Sequence, residues 1–459
     1  MKKIAILVFF TVGFFVHVWA CTGLIAGKQA TVDGSVLVTY SADSHTLYGA
    51  LTSSPAADWP KGSMRSIVEW DTNKPLGEIE QVEHTYAVMG NMNEHQLTVV
   101  ESTWGGRPEL VDTTGIIDYG SLMQLALERA KTAREAIKVM TGLVKKYGYY
   151  SSGESFTIAD PNEAWILDLI GKGPGRRGAV WVAVRIPDDC IAGHANYPRI
   201  HKIPMDDKEN CLYSPDVISF AREMGYFDGL NKDFSFARAY SPADFGALRA
   251  CDARVWSFFR KYDSTMDNYL PYVNGESAEP FPLYVKPSRK LSVQDMKEAM
   301  RDHFEDTPFD MTQDVGAGPF KVPYRFRPMS FEVDGKSYCM ERAIATQQTG
   351  FTLVGQMRNW LPDPVGGVLW FGVDDANTCV YIPMYCGITQ VPECFSPENG
   401  SMYDFSWTSA FWIHNWVANM SYSRYDQMIE DIRPVQKDIE TTFYVQQPVI
   451  EKVANDLYR

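Results

Sequence analysis

Apolar positions along the chain fall into stretches of different period. A run from residue 4 to 16, with Lys2 and Lys3 before it and Val18-Trp19-Ala20 after it, opens the sequence. Short alternating stretches follow, and alternation predicts strands. Residues 22–26 and 35–40 predict a hairpin turned around Asp33-Gly34, a strong turn pair. A loop with Ser53-Ser54-Pro55 and Asp58-Trp59-Pro60 comes next, then strands at 87–89 and 96–101 flanking residues 90–94. Strands are also predicted at 155–159, 164–170 and 179–186, punctuated by Asp160-Pro161-Asn162 and a glycine-rich stretch at 171–178. Over 121–147 the period lengthens. Leu122, Leu125, Ala126, Ala130, Ala133, Ile137, Met140 and Val144 recur at helical steps, with Lys and Arg between them. Thr132 and Glu135 form a second capping signal, which predicts two helices with a short break. Residues 206–260 are mixed and more helical, and 291–303 is another amphipathic helix. Strands are predicted at 343–346, 368–371 and 380–382, with a helical end over 404–432.

Strands and helices without regular βαβ alternation predict an α+β fold, helices covering antiparallel sheets. No internal repeat or low-complexity linker divides the chain, so residues 21–459 are expected to form one large domain behind a leader at 1–20. Residues 171–178 lack the GxxxxGK[ST] pattern and sit between two strands, as an ordinary hairpin loop does. An apolar fraction of 45%, with 12 Trp, 24 Tyr and 24 Phe, describes a large aromatic-rich core. The formal charge of −14 argues against nucleic acid or an anionic membrane as partner, since both select basic surfaces. After the leader, no segment approaches the ~20 apolar residues of a membrane span. Setting Cys21 aside leaves seven cysteines, which cannot all pair internally; one bridge among Cys379, Cys386 and Cys394 is open. No CxxC, no HExxH and no His pair with ligand spacing is present, so no metal or cofactor is expected.

The opening segment has the form of a secretory signal peptide, and Val18 and Ala20 suit signal peptidase. That cut leaves Cys21 first, with a thiol and a free α-amine on one residue. An N-terminal nucleophile hydrolase uses that equipment, its amine acting as base for its own side chain. A Cys after a signal peptide also marks a lipid-anchored lipoprotein, although the bulky Trp19 suits that route poorly. Cleavage elsewhere would leave Cys21 an ordinary residue. The expected destination is the periplasm or the exterior, with lipid anchoring as the alternative.

The segment from Cys21 to Ser35 resembles the start of the cysteine dipeptidase family that includes lactobacillar dipeptidase A and, more distantly, secernin. The resemblance continues at Met92-Asn93-Glu94-His95, Ser102-Thr103-Trp104, Phe156 to Trp165, Trp181 to Asp189, His194 to Ile200 and Gln347 to Tyr385. It implies an αββα N-terminal nucleophile sandwich with C-terminal elaborations, and cysteine-dependent hydrolysis of dipeptides. A wider group with bile salt hydrolases and penicillin V acylases is implied too. By that wider resemblance Asp43 matches an acid that orients the nucleophile and its amine. Asn196 matches an Asn near the amine and the tetrahedral intermediate, and Arg254 a buried site arginine. Many relatives carry a basic residue where this chain has Tyr40, and the second oxyanion donor falls near Ser102-Thr103 without being placed. The implied catalytic set is Cys21, Asp43, Asn196 and Arg254, acting on a dipeptide; homo-oligomerisation is left open. The rivals are an acylase for another linear amide, a lipid-anchored binding protein, and a Cys–His pair using His45, His95 or His194.

Overall fold

The computed structural model describes residues 21–325 and 330–458, so the expected leader lies outside the described residues. The principal strands are β1 (Gly23–Ala26), β2 (Val36–Asp43), β3 (Thr98–Trp104), β4 (Gly153–Ala159), β5 (Ala164–Gly171), β6 (Ala179–Ile186), β7 (Ile191–His194), β8 (Thr349–Met357), β9 (Val368–Val373) and β10 (Ile382–Tyr385). The helices used below are α1 (Tyr119–Arg129), α2 (Ala133–Tyr147), α3 (Ala253–Arg260), α4 (Val293–Met300), α5 (Ala410–Ser421) and α6 (Tyr425–Tyr458). One antiparallel sheet has the order Tyr284–Val285, β7, β1, β2, β8, β9, β10. The other runs Cys211–Tyr213, β6, β5, β4, β3, then the short strands Met92–Asn93, Val88–Met89 and Ser53–Ser54.

Side-chain alternation along the strands sorts these residues into three cores. Val36, Val38, Leu353 and Phe371 of one sheet meet Val100, Trp104, Ile166 and Val182 of the other, so the two sheets face each other. Leu37, Val354 and Trp370 point the opposite way, onto Val255, Trp256 and Phe259 of α3 and Met296 and Met300 of α4. On the far side of the second sheet, Val99, Phe156, Leu167 and Leu169 pack against Leu122 and Ala126 of α1 and Ile137, Met140 and Val144 of α2. Covering on both faces explains why strands such as β5 are almost continuously apolar rather than cleanly alternating. The break between α1 and α2 falls where the capping pattern puts it: Thr132 accepts a hydrogen bond from the Glu135 backbone N–H.

Several expectations are corrected. Residues 343–346 are not a strand. Ala343, Ile344 and Ala345 are buried in an irregular segment, and the strand in this region is β8. Gly350 and Gly355 dilute the pattern of β8, and its burial comes from lying between β2 and β9. The strand expected at 380–382 lies at Ile382–Tyr385. The loop expected after residue 52 contains paired short strands, including Met64–Val68 with Pro75–Glu80, exposed and weakly patterned. The helical end is two helices, and α6 continues through Pro434 and Pro448 to Tyr458. All eight cysteines are unpaired: Cys386 Sγ is occupied by the Asp363 carbonyl and Cys379 is buried apart from the exposed Cys394.

A polar cross-link joins the sheets. His194, at the end of β7, bonds Ser102 Oγ of β3 through Nδ1 at 2.6 Å and Thr157 Oγ1 of β4 through Nε2 at 2.8 Å. Its ring lies against Gly23, its partner in the ladder, where a Cβ would fall 2.9 Å from the ring atoms. Glycine at that place in the Cys21-Thr22-Gly23 opening is therefore a packing requirement. Burial, aided by Arg254, pulls the His194 pKa from 6.5 to about 3, so the ring is neutral in the fold. The unfolded chain binds the proton more readily, so this contribution is complete above pH 6.5 and is lost as pH falls towards 3. In urea titrations, His194→Gln should flatten the loss of stability with acidification by up to ~1.4 kcal/mol per pH unit in that window. Parallel curves for the two proteins would show that His194 is not the titrating group.

Candidate active site

Cys21 lies two residues before β1, and Thr22 between them exchanges backbone hydrogen bonds with Ser41 of β2. It is 3% exposed. Its Sγ lies 3.5 Å from Glu101 Oε1 and 3.6 Å from Tyr40 Oη, and Tyr40 Oη donates to the same Glu101 oxygen at 2.5 Å. Burial pushes the thiol well above its ordinary range, and the charges of Glu101 and Asp43 push the same way. Hydrogen bonds from the Asp43 backbone N–H and from Tyr40 oppose this. The sulfur is thus a neutral thiol that must lose its proton as it reacts. Burial raises Tyr40 as well, so this residue is a neutral donor.

Arg254 lies in the first turn of α3, directly after the π-helical stretch Ala247–Asp252, a wide turn of the kind found near functional sites. The guanidinium is buried and its donors are all spent on oxygens of this region. Nη1 donates to Cys21 O and Thr22 Oγ1, both at 2.8 Å; Nη2 donates to Ala195 O at 3.1 Å and Asn196 Oδ1 at 2.8 Å; Nε donates to Ala250 O at 2.9 Å. Burial and the nearby Arg342 lower its pKa to about 10, which leaves it cationic at neutral pH. Asn196 occupies the left-handed region with φ 57°, a conformation Asn tolerates. Its Nδ2 donates to Thr103 O at 2.5 Å and its backbone N–H to Ser102 Oγ at 3.2 Å, so the carboxamide is held at both ends. Asp43, at the end of β2, accepts from Thr349 Oγ1 at 2.6 Å and Ser41 Oγ at 3.0 Å and pairs with buried Arg342.

A cavity of about 320 Å³ opens onto these groups. Cys21, Tyr40, Asp43, Asp71, Glu101 and Tyr119 supply its polar wall, and Met123, Leu127, Phe351 and Phe371 its apolar wall. None of the described residues lining it is Lys, Arg or His. Glu101 leans on a second buried acid: Glu154 accepts from Thr103 Oγ1 at 2.7 Å, and burial together with Glu101 pushes it well above the carboxylate range. Register explains the association, since Thr103 pairs with Glu154 and Glu101 lies two residues along the same face of β3. At the rim, Asp71 Oδ1 accepts from Tyr119 Oη at 2.8 Å, and burial of its carboxyl raises its pKa to about 6.

Cys21, Asn196 and Arg254 are therefore joined directly, and Asp43 reaches the sulfur through its backbone N–H and its charge. The histidines are elsewhere. His194 is spent between the sheets, His95 lies beside Asp363, and His45 is exposed and lines no part of the cavity. Sequence reasoning passed over Glu101, Glu154, Asp71 and Arg342. The available signal was an acid inside a buried apolar strand, Val99-Val100-Glu101. Among the described residues no group of three or more His, Cys, Asp or Glu is arranged to hold a metal.

The chain matches peptidase family C69 over residues 20–438. It is 25% identical over 431 residues to a probable dipeptidase of Latilactobacillus sakei, covering 88% of this chain and 82% of that one. A probable dipeptidase of Salmonella dublin is 27% identical over 396 residues, covering 80% and 81% of the two chains. Dipeptidase A of Lactobacillus helveticus is 24% identical over 429 residues, covering 88% and 82%. A match running from the residue before Cys21 to beyond the last strand leaves one assignment: the chain belongs to peptidase family C69, and is a hydrolase acting on peptide bonds.

Proposed function

We infer that the protein is an exported cysteine dipeptidase, with an αββα N-terminal nucleophile fold, made active by cleavage after Ala20. The observation that carries the reading is the position of Cys21, a buried thiol at the floor of a small cavity, with its own carbonyl clamped by Arg254 and no histidine at hand. A neutral thiol without an imidazole needs another base, and the freed α-amine of the same residue supplies one. Arg254 acts as a positioning residue: by fixing the Cys21 carbonyl it fixes where the amine stands relative to Sγ.

In acylation the amine takes the Sγ proton as sulfur bonds to the substrate carbonyl carbon. The tetrahedral intermediate collapses, the peptide C–N bond breaks, and the ammonium returns that proton to the departing amino acid. Water, deprotonated by the same amine, attacks the thioester; the C–S bond breaks and the thiol is restored. The family membership, the dipeptidase relatives and the cavity volume, at the lower end of small-molecule sites, support a short substrate. Export rests on the form of residues 1–20 alone.

Cys21→Ala should abolish dipeptide hydrolysis while the protein still folds, and retention of Met directly before Cys21 should do the same by turning the amine into an amide. Full turnover with that extra residue, measured by release of free amino acids, would place the base elsewhere. Asn196→Ala and Arg254→Lys should each lower kcat by ~100-fold or more, with Arg254→Lys close to Arg254→Ala because an ammonium cannot serve five oxygen contacts. A kcat near wild type for Arg254→Lys would reduce the clamp to simple packing. Asp43→Asn removes the carboxylate charge from the buried ion pair with Arg342 and should cost ~3–5 kcal/mol in chemical denaturation.

A further inference from the structure

We propose that Glu101 binds the free α-ammonium of the substrate, with Asp71 drawing it in at the rim, and that no cation among the described lining residues clasps the substrate's far carboxylate. This deepens the dipeptidase reading and rests on it. Glu101 is 2% exposed and accepts from Tyr40 Oη and Cys21 Sγ, both neutral donors. Burial and Glu101 itself push the neighbouring Glu154 towards its protonated form. Such surroundings favour Glu101 as the member of the pair that carries charge, yet no cation among the described residues lines the cavity to answer it. Asp43 already has Arg342; Glu101 and Asp71 do not share it. The α-amine of a matured Cys21 is not the standing partner either, because an amine acting as base must be neutral.

A dipeptide brings the missing charge to the required place. For attack, the substrate carbonyl carbon stands ~3–3.5 Å from Sγ, and the α-nitrogen lies only ~2.5 Å from that carbon. A carboxylate oxygen 3.5 Å from Sγ is then within hydrogen-bond reach of the ammonium. The side chain of the first residue meets Phe351, Phe371 and Met123. The far carboxylate finds no Lys, Arg or His among the described lining residues, so it has no cationic anchor inside. The wall selects an unblocked amino terminus and is indifferent to the group beyond the scissile bond, which makes aminoacyl amides substrates alongside dipeptides.

The test uses the mature protein and three probes: an alanyl dipeptide, its N-acetyl derivative and its C-terminal amide. Wild type should cleave the first and third within ~5-fold of each other in kcat/KM and the second ~100-fold or more slowly. Glu101→Gln should lose ~100-fold on the free dipeptide but little on the N-acetyl form, collapsing the preference; Asp71→Asn should raise KM with kcat nearly unchanged. Equal losses on both substrates would mean that Glu101 only tunes the thiol and would overturn the proposal, as would a marked preference for a free carboxylate. Calorimetric titration of Cys21→Ala provides a readout without turnover: it should bind the free dipeptide and not the acetylated one, and equal binding overturns the assignment. If wild type instead cleaves only the acetylated compound, the dipeptidase reading itself fails. If it cleaves the dipeptide but Glu101→Gln keeps full preference, only the ammonium site fails.

Discussion

The arrangement depends on one buried guanidinium. Arg254 joins the start of β1, the turn after β7 and the π-helical entry to α3, three segments distant from one another in the sequence. A charge taken out of water must be repaid by hydrogen bonds, since the desolvation of an isolated buried ion runs to several kcal/mol. Among the described residues no carboxylate forms an ion pair with it. Five neutral oxygens do the work, among them the carbonyl of Cys21 itself. The consequence is rigidity at Cys21, the residue proposed to carry the nucleophile. Removing the guanidinium orphans several buried acceptors at once, whereas removing any one acceptor leaves the others in place.

Around this clamp the electrostatics are one-sided. Asp43, Asp71 and Glu101 line the cavity, and Glu154 lies behind Glu101, while the nearest cations, Arg254 and Arg342, are turned into the fold and spent. Burial in a low-dielectric pocket raises the affinity of Glu101, Glu154 and Asp71 for protons, and the neighbouring Glu101 adds to the effect at Glu154. Such a wall repels anions and destabilises a thiolate. A preformed thiolate of the imidazole-paired kind is therefore at odds with these surroundings, and proton transfer during attack is in keeping with them.

The features legible in the sequence are the local ones. The β1–β2 hairpin, the α1–α2 break and the apolar strands β4, β5 and β6 carry their turn residues, caps and periodicity in short windows. β8 does not, because its burial is imposed by two neighbours distant in sequence and its glycines and Thr and Gln residues blur the pattern. The site divides in the same way. Cys21, Asp43, Asn196 and Arg254 stood out through resemblance and are brought together, but Glu101, Glu154 and Asp71 become neighbours only when β3 and β4 pair and the 70–71 segment crosses the mouth. An acid in an apolar strand was visible in the sequence; the absence of any cation opposite it was not.

The acidic wall also gives a physical reason for the proposed processing to matter beyond supplying a base. With residues 1–20 attached, the nitrogen of Cys21 is an uncharged amide, and the thiol faces burial, Glu101 and Asp43 together, all of which hold its proton on. Cleavage after Ala20 would change both sides of that balance. It creates a proton acceptor beside Sγ, and whenever that acceptor is protonated its charge lowers the cost of a thiolate next to two carboxylates. The same acids that keep the thiol inert in the longer chain would then stabilise the ammonium formed during attack. An acidic surround is thus suited to a nucleophile whose base is its own amine, where a cationic one would raise the energy of that ammonium.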